Sequence, residues 1–379
     1  MRIVRVETCA APAVWWQRWL IVRVETDEGL VGLGEGSIVG PYRAVDAAIH
    51  ELAPVLIGRD PTNVEGLWHD VYHAWRARGG MVHQTAVSAL DQALWDIAGK
   101  AAGLSVGRLL GGRVRDRVPV YASHSFEFVT DPAAVRDEAQ ALRERGFRAL
   151  KWSPFQTFPL RGDERGQLRR IERHMTAIRD GFGDDTEVYV ECAESLTRRL
   201  MSDVVAALAP FRPGWLEEPL PFEDPAALAD VRASCPIPVA TGERLLTKWE
   251  FRTVLAADAV DIVQPEVMHC GGPTEMRKIA ALADAFSVPV APHSSGGPVG
   301  VAASLQVAAH IPNLLVVEHM PADDAERERC SSLRLSLVDG CIEVPDLPGL
   351  GVGLAGEEWG DPGALEGIQR GSYASAILR

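Results

Sequence analysis

The chain has 379 residues, 47% of them hydrophobic, and its 38 basic against 52 acidic side chains leave a net charge of −14. That length suits about two domains, and the acidic balance argues against a nucleic-acid or anionic-membrane partner. No apolar run is long enough for a transmembrane helix, Arg2 and Arg5 break the only early stretch resembling a signal peptide, and the six cysteines contain no C-x-x-C pair. A cytoplasmic protein with reduced thiols is expected.

Residues 1–116 are expected to form an α+β lobe. Arg2 to Thr8 and Trp19 to Thr26 alternate between apolar and polar residues, and the D-E-G turn at Asp27 to Gly29 leads into Leu30 to Glu35, an antiparallel meander. Helical periodicity follows over Tyr42 to Leu56, Asn63 to Ala74 and Val82 to Ala101. The last carries Val87, Leu90, Leu94, Ile97 and Ala98 on one face and stops at Gly103. Trp15 and Trp16 stand side by side on the connection between the first two strands and are candidate substrate-binding residues.

From Val118 to Glu318 short apolar runs alternate with amphipathic helices. Strands are expected near Val118–Ala122, Ala149–Trp152, Val188–Glu191, Trp215–Glu217, Val239–Thr241, Asp261–Gln264, Val288–Ala291 and Leu315–Glu318. Eight strands with intervening helices make a closed barrel over residues 117–322, and no G-x-G-x-x-G or P-loop pattern supports a nucleotide site. Residues 323–379, with a hairpin pattern at Leu333 to Val344 and the turn-rich D-L-P-G-L-G-V-G-L from Asp346, are expected to pack back on the first lobe.

Three of these strands close on an acid. E-V-Y-V-E ends at Glu191, G-W-L-E-E-P contains Glu217 and P-V-A-T-G-E-R contains Glu243, each 26 residues from the next. That spacing matches one strand-helix unit, so the carboxylates fall on successive strand ends, where barrel active sites sit. Three converging carboxylates repel each other unless a cation joins them, and an all-oxygen donor set suits Mg²⁺. Glu218 follows a candidate ligand and should point the other way, while Glu194 is a possible substitute for Glu191.

The motifs S-A-L-D-Q-A-L-W-D-I-A-G-K (Ser88 to Lys100), L-L-G-G, W-L-E-E-P, T-G-E-R, D-I-V-Q-P-E, G-G-P-T-E and A-P-H, in this order, cover nearly the whole chain. Together they resemble the enolase superfamily, in its mandelate racemase and sugar-acid dehydratase branch. The resemblance implies an α/β fold: a modified (β/α)7β TIM-type barrel with an α+β capping domain. It also implies one Mg²⁺ per subunit on Glu191, Glu217 and Glu243, a homo-oligomer, and abstraction of the proton α to a small-molecule carboxylate. His293 matches the acid–base histidine, and Glu266 stands where the family has the Asp that orients it. Lys151 matches the second-strand lysine and is expected to bind the substrate carboxylate with Ser153, which replaces the second lysine of K-x-K. Glu318 matches the acid, expected protonated, that hydrogen-bonds the enolising carboxylate.

Ala193 occupies the place of a second histidine found in some dehydratases, and Glu191 replaces the usual Asp. His269 reads as a loop residue. A single histidine suits β-elimination, so dehydration of an aldonate or aldarate to a 2-keto-3-deoxy acid is expected. A racemase, epimerase or cycloisomerase is the alternative, and a non-catalytic metal-binding scaffold a third reading.

Overall fold

The computed structural model describes residues 1–12, 18–126, 128–157, 160, 162–356 and 359–362. Trp15 and Trp16 lie outside these residues.

Strands β1 (Ile3–Pro12), β2 (Arg18–Thr26) and β3 (Val31–Glu35) form an antiparallel meander in that order, with Val6 opposite Val24 and Val22 opposite Gly34. The helix Met81–Ala102 lies across this sheet so closely that a Cβ at Gly32 or Gly34 would meet the carbonyls of Ala93 and Ala89. Gly103, at φ 66°, supplies the left-handed cap that ends the helix. The helices Tyr42–Leu52 and Val64–His73 complete this capping lobe, whose core includes Leu20, Val22, Val45, Ile49, Leu67 and Leu90.

The barrel strands are β4 (Arg117–Ala122), β5 (Ala149–Trp152), β6 (Glu187–Glu191), β7 (Leu216–Glu217), β8 (Val239–Thr241), β9 (Ile262–Val263) and β10 (Val317–His319). Each of β4 to β8 pairs in parallel with the next, and β10 pairs with β4. Val290 bridges Val263 on one side and Leu314 on the other, which closes the ring at the seventh position. Among the described residues a long helix follows each of the first seven positions, from Pro132–Glu144 to Pro298–His310. This is the modified (β/α)7β barrel. Several strands are shorter than their apolar runs suggested: Val288–Ala291 pairs only at Val290, and Trp215 falls outside β7. Tilted barrel strands overlap over few residues, so burial extends further along the chain than pairing does.

Strands β11 (Leu337–Val338) and β12 (Cys341–Glu343) form a hairpin whose second strand pairs with the start of β4, Glu343 opposite Arg117. The hairpin therefore sits at the end opposite the strand C-termini. Beyond it the chain returns to the capping lobe: Gly349 exchanges backbone hydrogen bonds with Leu104 and Val106, the N–H of Leu350 donates to Asp96, and Asp346 receives Ser105 and Arg108. No described helix is long and apolar enough to cross a membrane.

Within the barrel, Tyr121, Ala149, Tyr189, Trp215, Ala240, Ile262, Ala291 and Val316 form a buried apolar layer. Tyr189 and Trp215 stack with centroids 3.4 Å apart, and Tyr121 meets both edge-on. Side chains alternate along a strand, so the next inward residue is two further on. Applied to these eight, that rule reaches Ser123, Lys151, Glu191, Glu217, Gly242, Gln264, His293 and Glu318. An apolar floor thus carries a polar ring at its C-terminal face.

Candidate active site

The ring begins with register. Glu191 and Glu217 end adjacent parallel strands and are direct partners in the ladder. Glu243 lies beyond β8, past Gly242, whose φ of 148° lets the backbone pass Gln264 at a distance where a Cβ would clash. Single oxygens of Glu191, Glu217 and Glu243 all lie within 4.8 Å of one another. Glu217 is the most firmly set: Lys151 donates to Oε1 at 2.5 Å, while Trp215 and Gln264 donate to Oε2 at 2.9 and 2.7 Å. Glu191 accepts from the N–H of Ala193 at 2.5 Å. The sequence expectation took Glu191 over Glu194 as the converging acid, and the geometry agrees.

Arg244 explains the other acids. Its guanidinium reaches Glu194 at 2.5 Å, Glu218 at 3.0 Å and Glu243 at 3.4 Å. Glu194 and Glu218, both at positive φ, are thereby turned away from the three-oxygen cluster. Reading the sequence missed Arg244; its place directly after Glu243 in T-G-E-R was the available signal.

Lys151 is buried, with Nζ 2.5 Å from Glu217, 3.1 Å from Glu318 and 3.5 Å from Glu191, above the Tyr121 ring. Burial opposes its charge, but Glu217 and Glu318 outweigh this and hold its pKa well above the ordinary lysine value. It is a fixed cation. Ser153, one residue past β5, is also buried.

His293 Nδ1 lies 2.7 Å from Glu266 Oε2, while Nε2 faces Glu243 at 3.2 Å and Glu318 at 3.3 Å. Burial again disfavours the charge, yet Glu318, Glu243 and Glu266 lift the imidazole to about 10. Glu318 accepts from the N–H of Ser294 at 3.1 Å. Although burial favours its neutral form, Lys151 and His293 hold its carboxyl below the usual range. In the substrate-free site these two cations favour the ionised form of Glu318; the protonated form expected beside an enolising carboxylate concerns the substrate-bound site. Glu191 goes the other way, raised by burial and by Glu217.

His124, just past β4 and also missed in the sequence, helps lower Glu318 through its charge. His269 lies in the turn after β9, and its Nδ1 meets Thr85 Oγ1 of the capping-lobe helix at 3.0 Å. Exposure grades outward, from a fully buried Glu318 side chain through His293 at 12% to 24% at Glu243. Five carboxylates (Glu191, Glu217, Glu243, Glu266 and Glu318) face Lys151, His293 and, at Glu243, the edge of Arg244, so among the described residues acidic groups outnumber basic ones. That excess charge and an all-oxygen donor set fit a hard divalent cation.

Residues 3–111 match the family model of the mandelate racemase / muconate lactonizing enzyme N-terminal domain, and residues 134–359 match that of the enolase C-terminal domain-like family. The chain is 36% identical over 360 residues to the D-galactonate dehydratase of Ralstonia pickettii (strain 12J), covering 93% of this chain and 92% of that protein. Identity and coverage are the same for the D-galactonate dehydratase of Xanthomonas oryzae pv. oryzae (strain PXO99A). Among solved structures, a mandelate racemase/muconate lactonizing enzyme from Jannaschia sp. CCS1 superposes with a TM-score of 0.86 at 33% identity, over 93% of this chain and 95% of that one. The 3,6-anhydro-D-galactonate cycloisomerase from Zobellia galactanivorans superposes with a TM-score of 0.84 at 29% identity, over 93% and 97%.

Proposed function

Because the chain belongs to the mandelate racemase / muconate lactonizing enzyme group of the enolase superfamily, we propose that it is a Mg²⁺-dependent dehydratase that converts a sugar acid to a 2-keto-3-deoxy acid. Kinship with D-galactonate dehydratases makes it an enzyme of the lyase class. The observation that carries the finer reading is the state of Lys151. Held among three carboxylates as a buried cation, it is better placed to bind a substrate carboxylate than to serve as the base. His293 is then the one acid–base group of the ring, which suits elimination better than inversion.

Glu191, Glu217 and Glu243 would hold the cation, which neutralises charge developing on the substrate carboxylate and is worth several kcal/mol of transition-state stabilisation. Lys151 binds the same carboxylate and stays charged throughout. Glu266 accepts Nδ1–H of His293 and so leaves Nε2 to take the α-proton. Glu318 and Glu243 both favour the protonated imidazole; Glu243 is also a candidate ligand, and with its charge held by a cation Nε2 would be readier to give up its proton and act as the base. The electron pair left at the α-carbon moves to form the double bond between C2 and C3 as the C3–O bond breaks. His293 returns its proton to the departing hydroxyl, which leaves as water, and the enol tautomerises to the 2-keto acid. Glu318, ionised before substrate arrives, gains proton affinity when a second carboxylate settles beside Lys151 and can then hydrogen-bond it.

The test is a panel of aldonic and aldaric acids assayed for Mg²⁺-dependent 2-keto acid formation. One or more acids should be dehydrated by the native protein and not by His293→Asn. If the acids that react return only inverted at C2, with no 2-keto acid, the enzyme is an epimerase and the reading fails.

A further inference from the structure

We propose that Glu35, a buried acid of the capping lobe, is a positioning residue for His293, acting through the segment that joins the base to the next helix. The proposal rests on the role given to His293 above. Glu35 ends β3, far from the metal cluster in sequence, and no lysine or arginine forms an ion pair with it among the described residues. Its partners are backbone. Gly297 donates to Oε1 at 2.6 Å, while Val299 and Gly300 donate to Oε2 at 3.1 and 2.7 Å. Ser37 Oγ donates to Oε1 at 2.5 Å.

These three N–H groups begin the helix Pro298–His310, whose N-cap Gly297 has no side chain to cap it and whose first residue, Pro298, has no N–H. Glu35 therefore satisfies from another lobe the donors that a helix leaves open at its start, where a negative charge is also favoured. Gly297 has no room for a side chain of its own, because a Cβ there would lie 2.6 Å from the Trp19 ring.

From His293 the chain runs through Ser294, Ser295 and Gly296 to that capped residue. The link is buried, with Gly296 close against Met268, and its backbone is fixed by hydrogen bonds from three directions. Ser294 N–H is fixed to Glu318, Gly296 C=O accepts from buried Arg327 at 2.9 Å, and Gly297 N–H is fixed to Glu35. Arg327 also donates to Met320 C=O, just beyond β10, so it joins the strand end bearing His293 to the one bearing Glu318. Glu35 closes this set from the capping lobe. Loss of its charge-assisted bonds would let the segment drift, and displacement of a base by about 1 Å can cost on the order of 100-fold in rate.

The experiment compares native protein, Glu35→Gln and Ser37→Ala, all saturated with Mg²⁺ and well below their melting temperatures, using a sugar acid that the native protein dehydrates. Glu35→Gln keeps the shape but sets an amide N–H₂ against backbone donors. It should lower kcat and α-proton exchange by about tenfold to 100-fold, with KM and Mg²⁺ affinity changed less than about twofold. Ser37→Ala, which removes one hydrogen bond to the same carboxylate, should act in the same direction but less, and it decides the matter if Glu35→Gln does not fold. Variants that melt earlier but keep native kcat would make Glu35 a helix cap only and overturn the proposal. Dehydration and exchange that persist at native rates in His293→Asn would instead overturn the assignment of His293.

Discussion

His293 and Glu266 are joined by a 2.7 Å contact between Nδ1 and Oε2, which leaves Nε2 facing Glu243 and Glu318 of the carboxylate cluster. Glu266 is one methylene longer than the Asp that the family resemblance leads one to expect, yet it is held in place, because its other oxygen accepts from the N–H of Met268 at 3.1 Å. Glu266→Gln would keep the shape and remove the charge, so kcat should fall by about tenfold or more, whereas His293→Asn should cost about 100-fold to 10⁴-fold. Steady-state kinetics with a confirmed substrate measure both.

Metal binding should release protons. Burial and Glu217 raise the Glu191 pKa, and neighbouring acids raise that of His293, so a cation joining these carboxylates displaces bound protons. Mg²⁺ affinity should therefore increase with pH, and titration calorimetry in buffers of different ionisation enthalpy should show a net release. Glu217→Gln should abolish most of the affinity while thermal melting of the metal-free protein stays close to native.

Stability without metal should fall as pH rises through neutrality. The imidazole of His293, ordinarily near 6.5, is lifted to about 10 in the folded protein. A raised folded-state pKa contributes stability that is fully present below 6.5 and lost as pH climbs toward 10. Glu191, also raised, acts in the same direction from the ordinary carboxylate range upward, whereas the lowered Glu318 matters only in acid. Melting temperatures of chelator-treated protein between pH 6 and 10 should decline, and His293→Asn should flatten the slope.

The aromatic floor supports the ring above it. Trp215 stacks on Tyr189 and donates Nε1–H to Glu217 Oε2. Trp215→Phe would leave that buried oxygen with Gln264 as its remaining neutral donor, at a cost of about 1–3 kcal/mol. Denaturant unfolding should show the loss, together with weaker Mg²⁺ binding.

Much of this was legible in the sequence because barrel geometry turns spacing into position. Equal intervals between Glu191, Glu217 and Glu243 signalled neighbouring strands, and the acids do converge. Strand lengths were not legible, since buried apolar runs at Trp215 and Val288 continue past the paired residues. Arg244 stood in view directly after Glu243, but its pairing with Glu194 and Glu218, both at positive φ, was not legible. The ionised state of Glu318 depends on Lys151 and His293, two groups brought to it by other strands. Glu35 is a lone acid in sequence, and the first of the three backbone N–H groups it accepts lies 262 residues away.

The division of labour between His293 and Lys151 is best measured by solvent deuterium exchange at the α-carbon of a sugar-acid substrate, followed by mass spectrometry. His293→Asn should abolish exchange, while Lys151→Met should weaken binding and leave measurable exchange. Exchange that survives in His293→Asn and vanishes in Lys151→Met would contradict the account, make Lys151 the base and favour an epimerase.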